Sequence, residues 1–133
     1  MKDIIYIGGT FDLFHIGHLR LLKEAQKLKG DNDILVAGVL TDEACIKWKR
    51  EPIIPFEQRC EIIREFADIV IPQDDVNETK LLRKIKPKVI VHGDDMGVKS
   101  TLLANDIGAK IIYFPYFKGQ STTKIINDIR GKT

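Results

Sequence analysis

The sequence has few cysteines and no long apolar run, and each shortage argues against a class of protein. Its 133 residues include two cysteines, Cys45 and Cys60, and neither belongs to a Cys-x-x-Cys or Cys/His cluster. A zinc site is therefore not expected, and reduced thiols in a cytoplasmic protein are the simplest expectation. No apolar stretch approaches the roughly 18 residues that a transmembrane helix requires, and no secretory leader pattern is seen, so we expect no membrane partner.

The net charge is also small. With 21 basic and 19 acidic residues, the formal charge is +2, and the basic residues are scattered along the chain. This balance gives no support for a nucleic-acid partner. The 44% hydrophobic and 30% charged content is typical of a globular protein, and we find no repeat or linker. We therefore expect one domain over residues 1–133.

Short apolar runs alternate with helical patterns. The runs are rich in β-branched residues and predict five strands, at Ile4–Ile7, Ile34–Leu40, Ile69–Ile71, Val89–Val91 and Ile111–Phe114. Helices are expected over residues 17–29, from Pro55, between Asn77 and Pro87, before Gly108 and from Ser121. This alternation predicts an α/β fold, a Rossmann-like doubly wound sheet of five parallel strands. Ligands of such sheets bind beyond the carboxyl ends of the strands.

The most informative segment is residues 8–18, GGTFDLFHIGH, between the first strand and the first helix. A helix N-terminus has unpaired N–H groups and a partial positive charge, which together favour phosphate. His15 and His18 stand at that position, where imidazoles can donate hydrogen bonds to phosphoryl oxygens. Gly17 lies between them and would let a ligand approach the backbone. The segment therefore predicts a phosphate site.

Three further unusual segments follow predicted strands and so fall at the same edge of the sheet. Residues 47–50, KWKR, show no clear periodicity, and we expect a mobile basic loop that closes over a triphosphate. Residues 92–95, HGDD, offer carboxylates for a base amino group or ribose. Residues 118–124, KGQSTTK, begin the last helix and offer hydroxyl and N–H groups to phosphates.

These segments, in this order, resemble the cytidylyltransferase branch of the nucleotidyltransferase superfamily that carries a paired-histidine motif. The nearest group is the small bacterial enzymes similar to glycerol-3-phosphate cytidylyltransferase. The resemblance implies transfer of CMP from CTP to a small phosphomonoester, with glycerol 3-phosphate as the first candidate. It further implies release of pyrophosphate, Mg²⁺ bound mainly through the CTP phosphates rather than by a protein metal site, and a homodimer.

The resemblance also assigns roles to residues of this chain. The residues expected to act in catalysis are His15, His18, Lys49 and Arg59. Those expected to bind the nucleotide are Gly9, Thr10, Phe11, His15, Gly17, His18, Lys49, Gly93, Asp94, Asp95, Lys118, Gly119, Gln120, Ser121, Thr122 and Thr123. Lys47 and Lys80 are expected to bind the phosphomonoester. The chain departs from the family pattern at Tyr116, where an arginine is usual, and at Gln120, so Lys118 or Lys124 is expected to supply the missing charge.

Two alternatives remain open at this point. An adenylyltransferase acting on a flavin or pantetheine phosphate would use the same scaffold, although the STT and GDD segments favour cytidine. A nucleotide-binding module without catalysis is supported only by Tyr116. Phosphoethanolamine, phosphocholine and a sugar phosphate also remain possible acceptors, because fold-level resemblance does not determine the substrate.

Overall fold

A five-stranded parallel sheet with helices on both faces organises the computed structural model, which describes residues 3–93, 98–114 and 119–132. The strands are β1 (Ile4–Gly9), β2 (Ile34–Leu40), β3 (Ile69–Gln73), β4 (Val89–His92) and β5 (Lys110–Tyr113). The helices are α1 (Ile16–Lys27), α2 (Asp42–Trp48), α3 (Phe56–Ile63), α4 (Thr79–Ile85), α5 (Val98–Ile107) and α6 (Thr122–Lys132). The predicted fold class and all five predicted strands are confirmed.

The strand order, β3-β2-β1-β4-β5, creates a switch point beside the first strand. The chain proceeds outward from β1 through β2 to β3 and then returns to place β4 on the other side of β1. Ile7 pairs with both Ala37 of β2 and Val91 of β4, so β1 is hydrogen-bonded on both sides. A crevice is expected beyond the carboxyl ends of β1 and β4, where the two halves of the sheet diverge.

Alternating side chains of β1 supply the two apolar cores. Ile5 and Ile7 point to one face, where they join a cluster with Leu22 of α1 and Ile63 of α3. Tyr6 points to the other face and joins a cluster that includes Leu82 of α4 and residues of β4 and α5. Burial on both faces explains why the strand sequences are continuously apolar.

The segment before the second predicted helix differs from the sequence expectation. Residues 42–48 form α2, whereas we expected a loop that includes Lys47 and Trp48. Thr41 caps this helix, because its side-chain oxygen accepts from Ala44 N at 3.2 Å. Ala44 and Cys45 are buried against Leu40. A helix of two turns is too short for its periodicity to be read, but the cap and the acidic first turn indicate its start.

Helix α1 begins one residue before the predicted start and ends two residues before the predicted end. At the other end of the chain, Ser121 Oγ accepts from Lys124 N at 3.0 Å, which confirms the predicted start of the last helix.

Among the described residues, no helix combines the length and apolar character needed to cross a membrane.

Candidate active site

A cleft of about 560 Å³ opens at the carboxyl ends of β1 and β4, the place where the topology predicts a ligand. It is lined by Gly8, Gly9, Thr10, Phe11, Asp12, His18, Leu21, Cys45, Lys49, Arg50, Pro52, His92, Gly93, Thr122 and Thr123. All four unusual segments of the sequence contribute to this lining, and the remaining lining residues are Leu21, Cys45 and Pro52. A second cleft of about 590 Å³, between the first turns of α2 and α3, contains none of the predicted site residues.

The turn after β1 has an unusual backbone. Phe11 and Leu13 have positive φ angles of 55° and 49°, a conformation that costs non-glycine residues energy. Phe11 is buried, and its ring lies so close to Gly9 that a Cβ atom on that glycine would approach to 3.0 Å. Packing of the Phe11 ring therefore helps to hold the turn in shape at the cleft wall.

The two histidines fix each other at the start of α1. His15 Nδ1 accepts from Gly17 N at 3.0 Å, and His18 Nδ1 accepts from His15 N at 3.2 Å. The two rings stack with their centres 3.8 Å apart. Because both Nδ1 atoms accept hydrogen bonds, each neutral ring carries its hydrogen on Nε2. Gly17 makes this arrangement possible, since a Cβ atom there would lie 2.8 Å from His15 Cε1.

Both imidazoles are neutral near pH 7. Burial lowers the pKa of His15. Burial also lowers the pKa of His18 to about 4; the neighbouring His15 adds to this effect, and Asp12 opposes it in part. The site therefore presents two neutral Nε2–H donors rather than two cations. Of the two rings, His18 lines the cleft, and His15 lies beside it through the stacking contact.

The basic segment divides into residues that face the cleft and residues that do not. Lys49 lines the cleft, and its ammonium donates to Thr10 Oγ1 at 3.1 Å. Arg50 also lines it and forms an ion pair with Asp12 at 3.1 Å. Lys47, on the exposed side of α2, places its ammonium 5.0 Å from the centre of the Trp48 ring. The structure thus puts the Lys49 side chain, but not that of Lys47, in the cleft.

Arg59 does not reach the cleft, contrary to the expectation of a catalytic role. Its side chain is fully buried, and its guanidinium donates to the backbone oxygens of Thr10, Leu40 and Ile54 and to Asp42. These bonds occupy most of its five N–H groups. Arg59 is therefore placed to hold the turn after β1 and the start of α2, and it is not among the residues that line the cleft.

The start of α6 closes another side of the cleft. Thr122 and Thr123 line it, and Thr122 Oγ1 donates to Asp12 O at 2.9 Å, which ties the helix start to the turn after β1. Gly119, Gln120 and Ser121 precede the helix and do not line the cleft. Lys124 forms an ion pair at 2.7 Å with Asp128 of the same helix and does not line the cleft.

Of the remaining predicted residues, some lie within the described part of the structure and others do not. Gly93 lines the cleft, whereas Lys80 is exposed in the first turn of α4 and does not. Asp94, Asp95 and Lys118 lie outside the described residues, as does Tyr116.

Four further residues, Asp12, Arg50, His92 and Gly8, line the cleft although no role was predicted for them. Each lies within one of the four unusual segments of the sequence, so its position next to a predicted strand was a usable signal. Asp12 is buried and accepts from Ile53 N and Ile54 N as well as from Arg50. Burial alone would raise the pKa of Asp12, but these hydrogen bonds outweigh it and hold the pKa below its usual value.

Several known proteins are similar to this chain. A FAD synthase from Methanosphaera stadtmanae is 33% identical over 92% of the chain and 90% of its own length. The bifunctional protein HldE from Geobacter metallireducens is 32% identical over 96% of the chain. The chain spans about a quarter of the length of that relative, 27%.

Solved structures share the fold. A lipopolysaccharide core biosynthesis protein from Thermoplasma volcanium superposes with a TM-score of 0.74 at 27% identity and covers 89% of this chain and 100% of its own. Thermotoga maritima TmcAL, solved with alpha-thio ATP, has a TM-score of 0.71 at 15% identity, covers 99% of this chain and 51% of its own, and supports the fold alone. The family model described as cytidylyltransferase-like matches residues 6–127, and the chain therefore belongs to the cytidylyltransferase-like family.

Proposed function

We propose that the protein is a nucleotidyltransferase that joins a phosphomonoester to the α-phosphate of a nucleoside triphosphate and releases pyrophosphate. The observation that carries this proposal is the convergence of His18, Lys49, Arg50 and the start of α6 on one cleft. Neutral imidazole donors, two cations and the free N–H groups of a helix N-terminus are suited to a chain of phosphates.

The proposed reaction needs no covalent enzyme intermediate. An oxygen of the phosphomonoester attacks the α-phosphorus in line, a new P–O bond forms, and the bond to the bridging oxygen breaks with that oxygen leaving on pyrophosphate. The phosphomonoester is already an anion, so no general base is required. Burial raises the pKa of both Cys45 and Cys60, which disfavours a thiolate nucleophile.

Positioning and charge stabilisation then supply the catalysis. The Nε2–H of His18 would donate to the phosphate oxygens that gain charge as the bond to pyrophosphate breaks, and His15 would support it through the stacked ring. Lys49 would exchange its contact with Thr10 for a phosphate oxygen. Thr122 and Thr123 would hold the far end of the triphosphate at the helix start.

The residues around the cleft also suit Mg²⁺ that arrives bound to the nucleotide. Among the described residues that line the cleft, the one carboxylate is Asp12, and its oxygens accept from Arg50, Ile53 N and Ile54 N. The nucleotide phosphates and water, rather than protein side chains, would therefore supply most of the ligands of Mg²⁺. Mg²⁺ would neutralise part of the triphosphate charge.

For the nucleotide we propose CTP, on the STT and GDD segments of the sequence. ATP is the second candidate, favoured by the similarity to a FAD synthase over nearly the whole of both chains, because formation of FAD joins an adenylyl group to a flavin phosphate. For the acceptor we propose glycerol 3-phosphate first, with sugar phosphates, phosphoethanolamine and phosphocholine as the alternatives to be compared.

A pyrophosphate-release assay tests the activity. The purified protein with Mg²⁺ is given CTP or ATP together with each acceptor in turn, and FMN is included for the ATP arm. We expect release that depends on both substrates and falls by two or more decades in His18→Ala. A larger rise in melting temperature with CTP than with ATP would favour cytidylyl transfer, and the reverse would favour adenylyl transfer. Absence of release with every pair would reject the proposed activity.

A further inference from the structure

Two arginines contact the turn after β1, and they use their guanidinium groups differently. A guanidinium carries five N–H hydrogens, one on Nε and two on each Nη nitrogen. Arg59 is fully buried, and all three of its nitrogens donate to protein oxygens. Its donors are therefore used up by the fold, and it has little to offer a ligand.

Arg50 is engaged on one side only. Its Nη1 donates to Asp12 Oδ2 at 3.1 Å and to Glu51 O at 3.2 Å, which accounts for both hydrogens of that nitrogen. Within the part of the chain that the structure describes, its Nε and Nη2 make no hydrogen bond. The side chain lines the cleft and is 41% exposed. The edge formed by Nε and Nη2 is therefore left for a ligand of the cleft.

Asp12 fixes the position of this guanidinium. Its side chain is 1% exposed, and its carboxylate also accepts from Ile53 N at 2.9 Å and from Ile54 N at 2.8 Å. A carboxylate held by two backbone bonds is a rigid partner, so Arg50 loses freedom before a ligand arrives and less is lost on binding. The two backbone bonds do not depend on Arg50, so Asp12 keeps partners when the arginine is replaced.

The same aspartate connects Arg50 to the start of α6. Thr122 Oγ1 donates to Asp12 O at 2.9 Å, while Arg50 binds the Asp12 carboxylate. The guanidinium and the helix start thus meet at one residue of the turn. Thr122 and Thr123 line the cleft there and offer hydroxyl groups and helix N–H groups to an anion.

We propose that the Nε–Nη2 edge of Arg50 clasps the pyrophosphate end of the nucleoside triphosphate, the part that leaves as product. This proposal rests on the proposed function. Two parallel N–H donors match two oxygens of a phosphate group, whereas an ammonium acts as a point charge. Arg50 stays paired with Asp12 through Nη1 while its other edge binds, so no existing contact has to break.

This role answers the question that Tyr116 raises in the sequence. A cation was expected from Lys118 or Lys124 in place of the missing arginine. Lys124 is paired with Asp128 and does not line the cleft, whereas Arg50 does. The guanidinium would thus come from the segment after α2 instead of the segment before α6.

Calorimetric titration with inorganic pyrophosphate in the presence of Mg²⁺ tests the proposal without turnover. Arg50→Met should weaken pyrophosphate binding at least about tenfold, because hydrogen bonds between charged groups are lost. Arg50→Lys should give an intermediate affinity, because it keeps the charge but not the paired donors. Binding of glycerol 3-phosphate, the probe for the acceptor phosphate, should be unchanged in both variants.

Arg83→Met is the matched control. Arg83 lies on α4, is exposed and forms an ion pair with Asp106 at 3.3 Å, so its loss removes the same charge and a comparable contact away from the cleft. Its pyrophosphate affinity should equal that of the unaltered protein. In initial-rate kinetics, Arg50→Met should lower kcat/KM for the nucleoside triphosphate at least about tenfold and leave the KM of the acceptor unchanged.

Four results would overturn the proposal. The first two are an unchanged pyrophosphate affinity in Arg50→Met and an equal loss in Arg83→Met, which would indicate an effect of net charge. The third is a loss of glycerol 3-phosphate binding instead, which would place Arg50 on the acceptor. The fourth is no pyrophosphate binding by the unaltered protein. If circular dichroism shows that Arg50→Met does not fold, Arg50→Lys decides, and an unchanged pyrophosphate affinity in that variant rejects the proposal.

Failure of the proposed function can be recognised separately. If no pair of substrates releases pyrophosphate but pyrophosphate binding depends on Arg50, the subsite stands without the activity. If pyrophosphate release proceeds at the same kcat/KM in Arg50→Met, the activity stands and the role of Arg50 is rejected.

Discussion

Asp12 and Arg59 both hydrogen-bond to the backbone of Ile54, one at its N–H group and the other at its carbonyl oxygen. Asp12 Oδ1 accepts from Ile54 N at 2.8 Å, and Arg59 Nε donates to Ile54 O at 2.8 Å. Asp12 belongs to the turn after β1, and Arg59 belongs to α3. Together they hold the segment that carries Lys49 and Arg50 against the cleft, so this segment is anchored at its end although its basic side chains are exposed.

The first prediction concerns the hydrogen bonds that the Asp12 carboxylate accepts. In Asp12→Asn the amide nitrogen cannot accept, so at least one of the bonds from Ile53 N, Ile54 N and Arg50 is lost. We expect the free energy of unfolding to fall by about 2 kcal/mol, a value typical of a hydrogen bond to a charged group. Urea denaturation measures it, with the exposed Asp31→Asn as the control. A fall in the free energy of unfolding no larger than that of the control would show that these hydrogen bonds contribute little to stability.

Some of this arrangement could be predicted from sequence, and the rest depends on contacts between distant segments. The parallel sheet, His15, His18 and the Thr122 helix start follow from local patterns next to the predicted strands. The role of Arg59 does not, because on a helix it resembles any surface arginine until the turn at Thr10 and the end of β2 are packed against it.

The second prediction separates the two lysines of the basic segment. Lys49 lines the cleft, whereas Lys47 lies on the exposed side of α2 near Trp48. Lys49→Ala should lower kcat/KM by about 100-fold or more, because removing a group that stabilises transition-state charge has effects of this size. Lys47→Ala should remain within severalfold of the unaltered protein. Initial-rate kinetics on both variants checks this, and equal losses would place both lysines on the substrates.

The third prediction tests the packing behind the cleft wall. Gly38 pairs with Gly8, and a Cβ atom on Gly38 would collide with the Tyr6 hydroxyl. Gly38→Ala should therefore displace the Tyr6 ring and lower the free energy of unfolding by about 1–3 kcal/mol, as overpacking of a core does. Adding Tyr6→Phe to Gly38→Ala removes the colliding oxygen and should recover part of the loss. Thermal or urea unfolding of both variants and of Tyr6→Phe alone measures this, and no recovery would mean that the contact with the ring carbon Cζ at 2.8 Å, rather than the hydroxyl oxygen, causes the loss.

The last prediction concerns pH and the neutral state of His18. Its pKa is lowered to about 4, mainly by burial, whereas a histidine in the unfolded chain titrates near its ordinary value of 6.5. Between these two values the unfolded state binds a proton that the native state does not, so the free energy of unfolding falls as the pH falls. The loss between pH 6.5 and pH 4 amounts to about 3 kcal/mol. The stability is fully present above pH 6.5, and burial of His15 acts in the same direction.

Unfolding by urea at pH 7.5 and pH 4.5, in the absence of nucleotide, compares the unaltered protein with His18→Gln. We expect the unaltered protein to lose more stability on acidification, by about 2–3 kcal/mol, because the glutamine has no proton to bind. Asp12 does not obscure the comparison, since its lowered pKa lies below this range and it is present in both proteins. Equal losses would mean that the native state binds a proton at His18 as readily as the unfolded state does, and that burial does not lower the pKa of His18.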